Sequence, residues 1–65
     1  MADEPMLKHF RYNHLPPYLQ ETSKPIHDLA VDIVNRLPAS AERTAGLRKL
    51  LEAKDCFVRA TLDGG

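Results

Sequence analysis

The sequence predicts an all-α protein in which a short N-terminal arm precedes a kinked antiparallel helical hairpin, assembled as a homo-oligomer. Apolar residues recur at helical spacing in two segments. Pro38 separates these segments, because its ring and its missing N–H stop a helix. The chain has only 65 residues, enough for one small domain, and a lone hairpin of this size buries too little apolar surface to be stable. Assembly of several copies would supply the missing burial.

Charge and hydropathy argue against a protein that coats DNA and against a membrane protein. We expect a single domain over residues 1–65, with frayed tails at about 1–4 and 63–65. Nine Lys and Arg balance nine Asp and Glu, so the chain lacks the positive field of proteins that coat DNA or anionic membranes. The apolar stretch at residues 29–34 is far shorter than the roughly 20 residues that span a bilayer, and no signal-peptide pattern precedes it. We expect a soluble intracellular protein with no DNA and no membrane partner.

The first helix is predicted from one apolar stripe. Its members are spaced i, i+3, i+4, i+7, i+8 and i+11: Ile26, Leu29, Ala30, Ile33, Val34 and Leu37. Pro16 and Pro17 suit an opening turn, where helix N–H groups have no intrahelical partner. Pro25 removes one hydrogen bond, so either the helix kinks there or a new helix begins with Ser23 as its N-cap. We expect a kinked helix, preceded by an arm over residues 5–18.

The second helix is predicted to begin after Ser40, its N-cap, and to continue to about Thr61. The link at residues 37–40 is so short that the two helices must lie antiparallel. Apolar side chains spread over roughly 200° of the second helix, and one neighbouring helix covers about half of that arc. Copies of the chain are expected to cover the rest; the alternative is a monomeric bundle in which the arm does so.

Catalytic machinery is not visible in the sequence. His9, His14 and His27 do not have metal-ligand spacing. Cys56 is expected to be a small packed side chain, and a glycine-rich phosphate loop is missing. We therefore expect neither enzyme activity nor a bound metal or cofactor.

Aromatic and cationic residues alternate in the arm, over residues 8–18. An aromatic ring stacks on a nucleobase, and a guanidinium or ammonium holds a phosphate. Phe10, Arg11 and Tyr12 are therefore candidate contacts for a nucleotide. Composition alone explains Phe10 and Tyr12 equally well as apolar anchors that pin the arm across the hairpin.

Two further groups of polar residues lie near helix surfaces. Three polar groups lie within about one turn of Pro25 on the first helix: the Ser23 hydroxyl, the Lys24 ammonium and the His27 imidazole. On the second helix, Arg43 and Lys54 interrupt the apolar face. Either their stems pack while their charged ends reach water or a carboxylate, or they meet an anionic ligand at an interface.

These motifs, in this order, resemble those of the phage anti-CBASS sponge proteins, whose helical hairpin domain is shared with the Thoeris-inhibiting signal sponges. The similar segments are Phe10-Arg11-Tyr12-Asn13-His14-Leu15-Pro16-Pro17, Ser23-Lys24-Pro25, and the start of the second helix at Glu42-Arg43-Thr44 followed by Leu47-Arg48-Lys49-Leu50-Leu51. The similarity extends from about residue 8 to residue 60. The connection between arm and first helix is shorter and richer in proline here than in other branches.

The resemblance implies a hexamer of hairpins that captures cyclic dinucleotides such as 3′,3′-cGAMP between protomers without cleaving them, in the cytoplasm of an infected bacterium. Some members also hold cyclic trinucleotides in separate pockets. Tyr12 corresponds to the arm tyrosine that contacts the ligand, and Ser23, Lys24 and His27 to polar residues on the first helix. Arg43 and Thr44 are candidates for the second pocket.

Two other functions are compatible with the residues alone. A small helical interaction module would dock the wide apolar face on a host protein and would not bind nucleotides. A DNA-binding regulator would need a recognition helix and a strong dependence on salt. The zero net charge disfavours the regulator.

Overall fold

A computed structural model describes residues 4–64, and all regular structure within this range is helical. A 3-10 helix at Pro5–Phe10 precedes two long helices, α1 at Pro17–Arg36 and α2 at Ala41–Leu62. The all-α prediction, with a short N-terminal piece and two long helices, is confirmed. Neither long helix combines the length and the apolar character needed to cross a bilayer. The fraying expected at residues 1–3 and 65 lies outside the described range.

Helix α1 begins where the sequence predicted an opening turn. Pro17 occupies its first turn, and the amides of Leu19 and Gln20 both bond to the carbonyl of Pro16 at 3.0 Å. The helix continues through Pro25 as one element of 20 residues. The alternative in which a new helix begins with Ser23 as its N-cap is wrong, because Ser23 lies in the interior of this helix with its side chain fully buried.

Helix α2 has the N-cap that the sequence predicts. The Ser40 hydroxyl accepts a hydrogen bond from the Arg43 amide at 3.0 Å, satisfying one of the first N–H groups of the helix. Glu42 lies in the first turn, where a negative charge is favourable. The helix includes Gly46, and apart from its chain neighbours and the adjacent turns of α2 no described atom lies within 4 Å of the position a Cβ would take there.

The two long helices form an antiparallel hairpin. The link consists of residues 37–40, as predicted, and Leu37 leaves the helical conformation directly before Pro38. At the opposite end, the hydroxyls of Thr22 and Thr61 are hydrogen-bonded at 2.8 Å. The start of α1 therefore lies beside the end of α2.

The arm contributes the centre of the core. Phe10, Ala30 and Leu47 are almost completely buried, one from each helical element. Partly buried apolar residues pack around them: Met6, Leu7, Ile26, Ile33, Val34, Leu50 and Leu51. The arm thus covers part of the apolar face of the hairpin, as in the alternative considered above. About half of each of several large apolar side chains stays exposed in the single chain: Tyr18, Leu29, Leu37, Phe57 and Leu62.

Arg43 joins the arm to the closed end of the hairpin. Its guanidinium donates to the carbonyls of Leu37 at 2.8 Å and Val34 at 3.4 Å, which lie at the end of α1. It also pairs with the Glu4 carboxylate at 3.2 Å, and the two side chains are only 9% and 11% exposed. Glu4 is therefore held in place, contrary to the fraying predicted for residue 4.

Candidate ligand-binding site

The aromatic end of the arm lies against α1. Tyr12 and His27 have ring centroids 5.0 Å apart and an angle of 62° between ring planes, which is an edge-to-face contact. Both side chains are half-buried. The bond from the Leu15 amide to the Tyr12 carbonyl forms a turn after the tyrosine, and the Gln20 amide group donates to the Leu15 carbonyl at 2.8 Å. The turn that carries Tyr12 is thus tied to the first turns of α1.

Lys24 lies beside this aromatic pair, and Asp28 binds it. The Lys24 ammonium donates to one oxygen of Asp28 at 2.8 Å, while Nδ1 of His27 is 3.1 Å from the other. The hydrogen bond and the charge of Asp28 raise the pKa of Lys24, and the negative charge of Tyr12 in its ionised form adds to the shift. The same hydrogen bond from Lys24, followed by that from His27, lowers the pKa of Asp28. The result is a surface cluster of an aromatic pair and an oriented ammonium.

Lys24→Met is expected to raise the pKa of Asp28 toward its ordinary value, because the larger cause of its lowering is removed. Above the ordinary pKa the Lys24–Asp28 pair contributes to stability, and this contribution disappears as the pH falls through the lowered pKa. Carboxyl NMR signals followed over pH measure the shift. Arg36→Met is the matched control, because Arg36 pairs with Asp32 at the same i, i+4 spacing. An Asp28 pKa that moves equally in both variants would contradict the assignment.

Three of the predicted ligand contacts lie together, and others do not. Tyr12, Lys24 and His27 form the cluster just described. Pro25 is exposed on α1 beside Lys24. Phe10 is 0% exposed and acts as the apolar anchor of the arm. The predicted contacts of these residues with a ligand stay predictions.

Ser23 lies in the interior, beneath this surface. Its side chain is 0% exposed, and its hydroxyl has no hydrogen-bond partner within residues 4–64. A direct contact between Ser23 and a ligand would require the helices to move.

Sequence reasoning missed Asp28, although its i+4 spacing from Lys24 is the signal that predicts such a pair.

Arg43 and Thr44, the candidates for a second pocket, lie in the first turn of α2. The partners of Arg43 are Glu4 and two backbone carbonyls, so its charge is already balanced within the chain. This arrangement corresponds to the alternative in which its charged end pairs with a carboxylate, and the ligand contact stays a prediction. Thr44 is half-buried and its amide bonds to the Ser40 carbonyl at 3.0 Å.

The opposite side of the arm borders a basic cleft of about 610 Å³. Its lining residues come from the 3-10 helix, from the segment before α1 and from α2: Lys8, His9, Arg11, Asn13, His14 and Lys54. The Lys54 ammonium donates to the His9 carbonyl at 3.0 Å, so α2 holds the arm here. Arg11 is exposed on this side, whereas Tyr12, next to it in sequence, contacts His27.

Within residues 4–64 there is no group of three or more His, Cys, Asp or Glu side chains placed to hold a metal ion. Cys56 is exposed on α2, contrary to the packed position expected for it. Its sulfur accepts a hydrogen bond from Arg59 at 3.4 Å.

No family model matches the chain, and no curated protein or solved structure is significantly similar to it.

Proposed function

We propose that this protein is a phage sponge for cyclic oligonucleotide messengers, which it binds without cleaving. The observation that supports this best is the edge-to-face pair of Tyr12 and His27 beside the ammonium of Lys24. A cyclic dinucleotide presents flat bases next to charged phosphodiesters. An aromatic ring next to an oriented cation complements both parts of such a ligand.

Asp28 prepares the ammonium for this role. One of the three N–H groups of Lys24 is directed to Asp28, which leaves two for the non-bridging oxygens of a phosphodiester. An ammonium held in one direction loses less conformational entropy on binding than a free one does. Lys24 is 55% exposed in the single chain, so a phosphate can reach it.

The proposed site lies between two copies of the chain. A cyclic dinucleotide has two bases and two phosphates, whereas each chain supplies one Tyr12, one His27 and one Lys24. Two chains related by a two-fold axis would match the ligand symmetrically. The half-exposed Leu29, Leu37, Phe57 and Leu62 supply apolar surface for such contacts, and we propose a homohexamer.

Binding alone is sufficient for the proposed biological role. A sponge in the cytoplasm of the infected bacterium lowers the free concentration of 3′,3′-cGAMP and related cyclic dinucleotides. CBASS effectors then remain inactive, and the phage evades the defence. Cyclic trinucleotides are a further ligand class in this proposal, with Arg43 and Thr44 as the candidate contacts.

Tyr12→Ala is expected to weaken binding of 3′,3′-cGAMP about 10-fold to 100-fold, because stacking on an aromatic ring contributes roughly 1–3 kcal/mol per base. Isothermal titration calorimetry measures the affinity and should give less than one ligand per chain. The recovered ligand should be chemically intact on chromatography. Tyr18→Ala is the matched control, because Tyr18 is exposed and lies on α1 between one and two helical turns before Lys24. Equal losses in both variants would remove Tyr12 from the site.

An interaction module that docks on a host protein is the second candidate function. It is favoured by an apolar groove of about 600 Å³ at the closed end of the hairpin, lined in part by Ile33, Leu37, Pro38, Leu47 and Leu50. Sedimentation separates the two candidates. A module of this kind would be a monomer or dimer that gives no heat with cyclic nucleotides, whereas the sponge would be a larger oligomer that does.

A further inference from the structure

The basic cleft brings together three cations, Lys8, Arg11 and Lys54. None of them forms an ion pair within residues 4–64. Arg48, Lys49 and Arg59 on α2 also form none there, so the cleft is distinguished by gathering its cations in one depression. No described residue that lines the cleft is acidic.

The polar groups of the cleft converge from three parts of the chain. The 3-10 helix supplies Lys8 and His9, the segment before α1 supplies Arg11, Asn13 and His14, and α2 supplies Lys54. The hydrogen bond from Lys54 to the His9 carbonyl uses one of its three N–H groups and holds the arm against α2. The other two N–H groups of the ammonium have no partner within residues 4–64 and are available to an anion. A neutral protein therefore has a strongly positive depression of about 610 Å³.

We propose that this cleft binds the phosphate of a phosphomonoester. A monoester phosphate carries up to two negative charges on three terminal oxygens, whereas a phosphodiester carries one charge on two. Three cations, two imidazoles and an amide complement the larger charge and the larger number of acceptors. The cleft is open to solvent, so a phosphate attached to a larger group can also reach its cations.

The cleft is separate from the site proposed for cyclic dinucleotides. Tyr12 points to His27 on α1 and does not line the cleft, whereas its neighbours Arg11 and Asn13 do. The arm thus presents an aromatic side to α1 and a cationic side to α2. A ligand without any phosphomonoester, such as a cyclic dinucleotide, does not provide the dianion that the cleft complements.

The three histidines provide the test. The ring C–H signals of His9, His14 and His27 are followed by NMR while inorganic phosphate is added at constant pH and ionic strength, and AMP is added in a second titration. We expect saturable shifts of the His9 and His14 signals, with the His27 signal unchanged. If AMP binds more tightly than inorganic phosphate, the source of the phosphate is a nucleotide. If the two affinities are equal, the cleft recognises the phosphate group alone.

Arg11→Gln is expected to weaken phosphate binding by about tenfold or more, because it removes a hydrogen bond between a guanidinium and a charged phosphate oxygen. Arg48→Gln, at an exposed position of α2 outside the cleft, should leave the affinity unchanged. Equal effects of the two variants, shifts that do not saturate, or equal shifts of all three histidines would overturn the proposal. Since no cyclic nucleotide is added, the result is independent of the proposed sponge function.

Discussion

Phe10→Ala is expected to unfold most of the protein at 25 °C. Phe10 is 0% exposed and lies between Ala30 of α1 and Leu47 of α2, so its ring connects all three helical elements. Replacement of a buried Phe by Ala costs about 3–5 kcal/mol. A core in a chain of fewer than about 70 residues rarely supplies more than about 3–5 kcal/mol in total. The variant should therefore lose most of its helical circular dichroism or melt far below the parent protein.

Tyr18→Ala is the matched control for this experiment. Tyr18 is 52% exposed, and removal of its ring should cost less than half as much as removal of the ring of Phe10. Both variants are compared by urea unfolding at one protein concentration. Similar losses would contradict the assignment of Phe10 as the centre of the core.

Arg43→Met is expected to destabilise the protein by about 3 kcal/mol. The substitution leaves the Glu4 carboxylate buried without its cation, and it removes the donor from the Leu37 and Val34 carbonyls. Breaking a buried ion pair on one side costs about 3–5 kcal/mol. The lower end of this range applies because both side chains keep about a tenth of their exposure. Urea unfolding followed by circular dichroism measures the change.

A double-mutant cycle with Glu4→Gln separates the two contributions of Arg43. In the double variant no buried charge is left without a partner. Its loss of stability should therefore be smaller than the sum of the losses in the two single variants. Arg48→Met, at an exposed position on the same helix, should change stability by less than about 0.5 kcal/mol. Strict additivity of the two single variants would mean that Glu4 and Arg43 do not interact in solution.

The hairpin could be predicted because its signals are local. Pro38 ends α1, Ser40 caps α2, and the helical stripe lies on contiguous residues, so neighbouring positions alone define these elements. The docking of the arm could not be predicted in this way. Its contacts join residues far apart in sequence, such as Glu4 with Arg43 and His9 with Lys54.

The candidate site, like the fold, could be predicted in part. Tyr12, Lys24 and His27 were selected from their chemistry and from a resemblance, and they lie together in the fold. Ser23 was considered as the N-cap of a new helix because it precedes Pro25 by two residues. A proline in the interior of a helix and a proline in its first turn look alike in sequence, and the helix had already begun at Pro17.

Gly46 affects how closely another helix can approach α2. A glycine inside a helix costs about 1 kcal/mol relative to alanine, and in the single chain no described atom within 4 Å of its missing Cβ explains that loss. Gly46 lines the apolar groove with main chain alone. Another helix crossing here could approach until the two backbones touch, at a separation that any side chain at residue 46 would prevent.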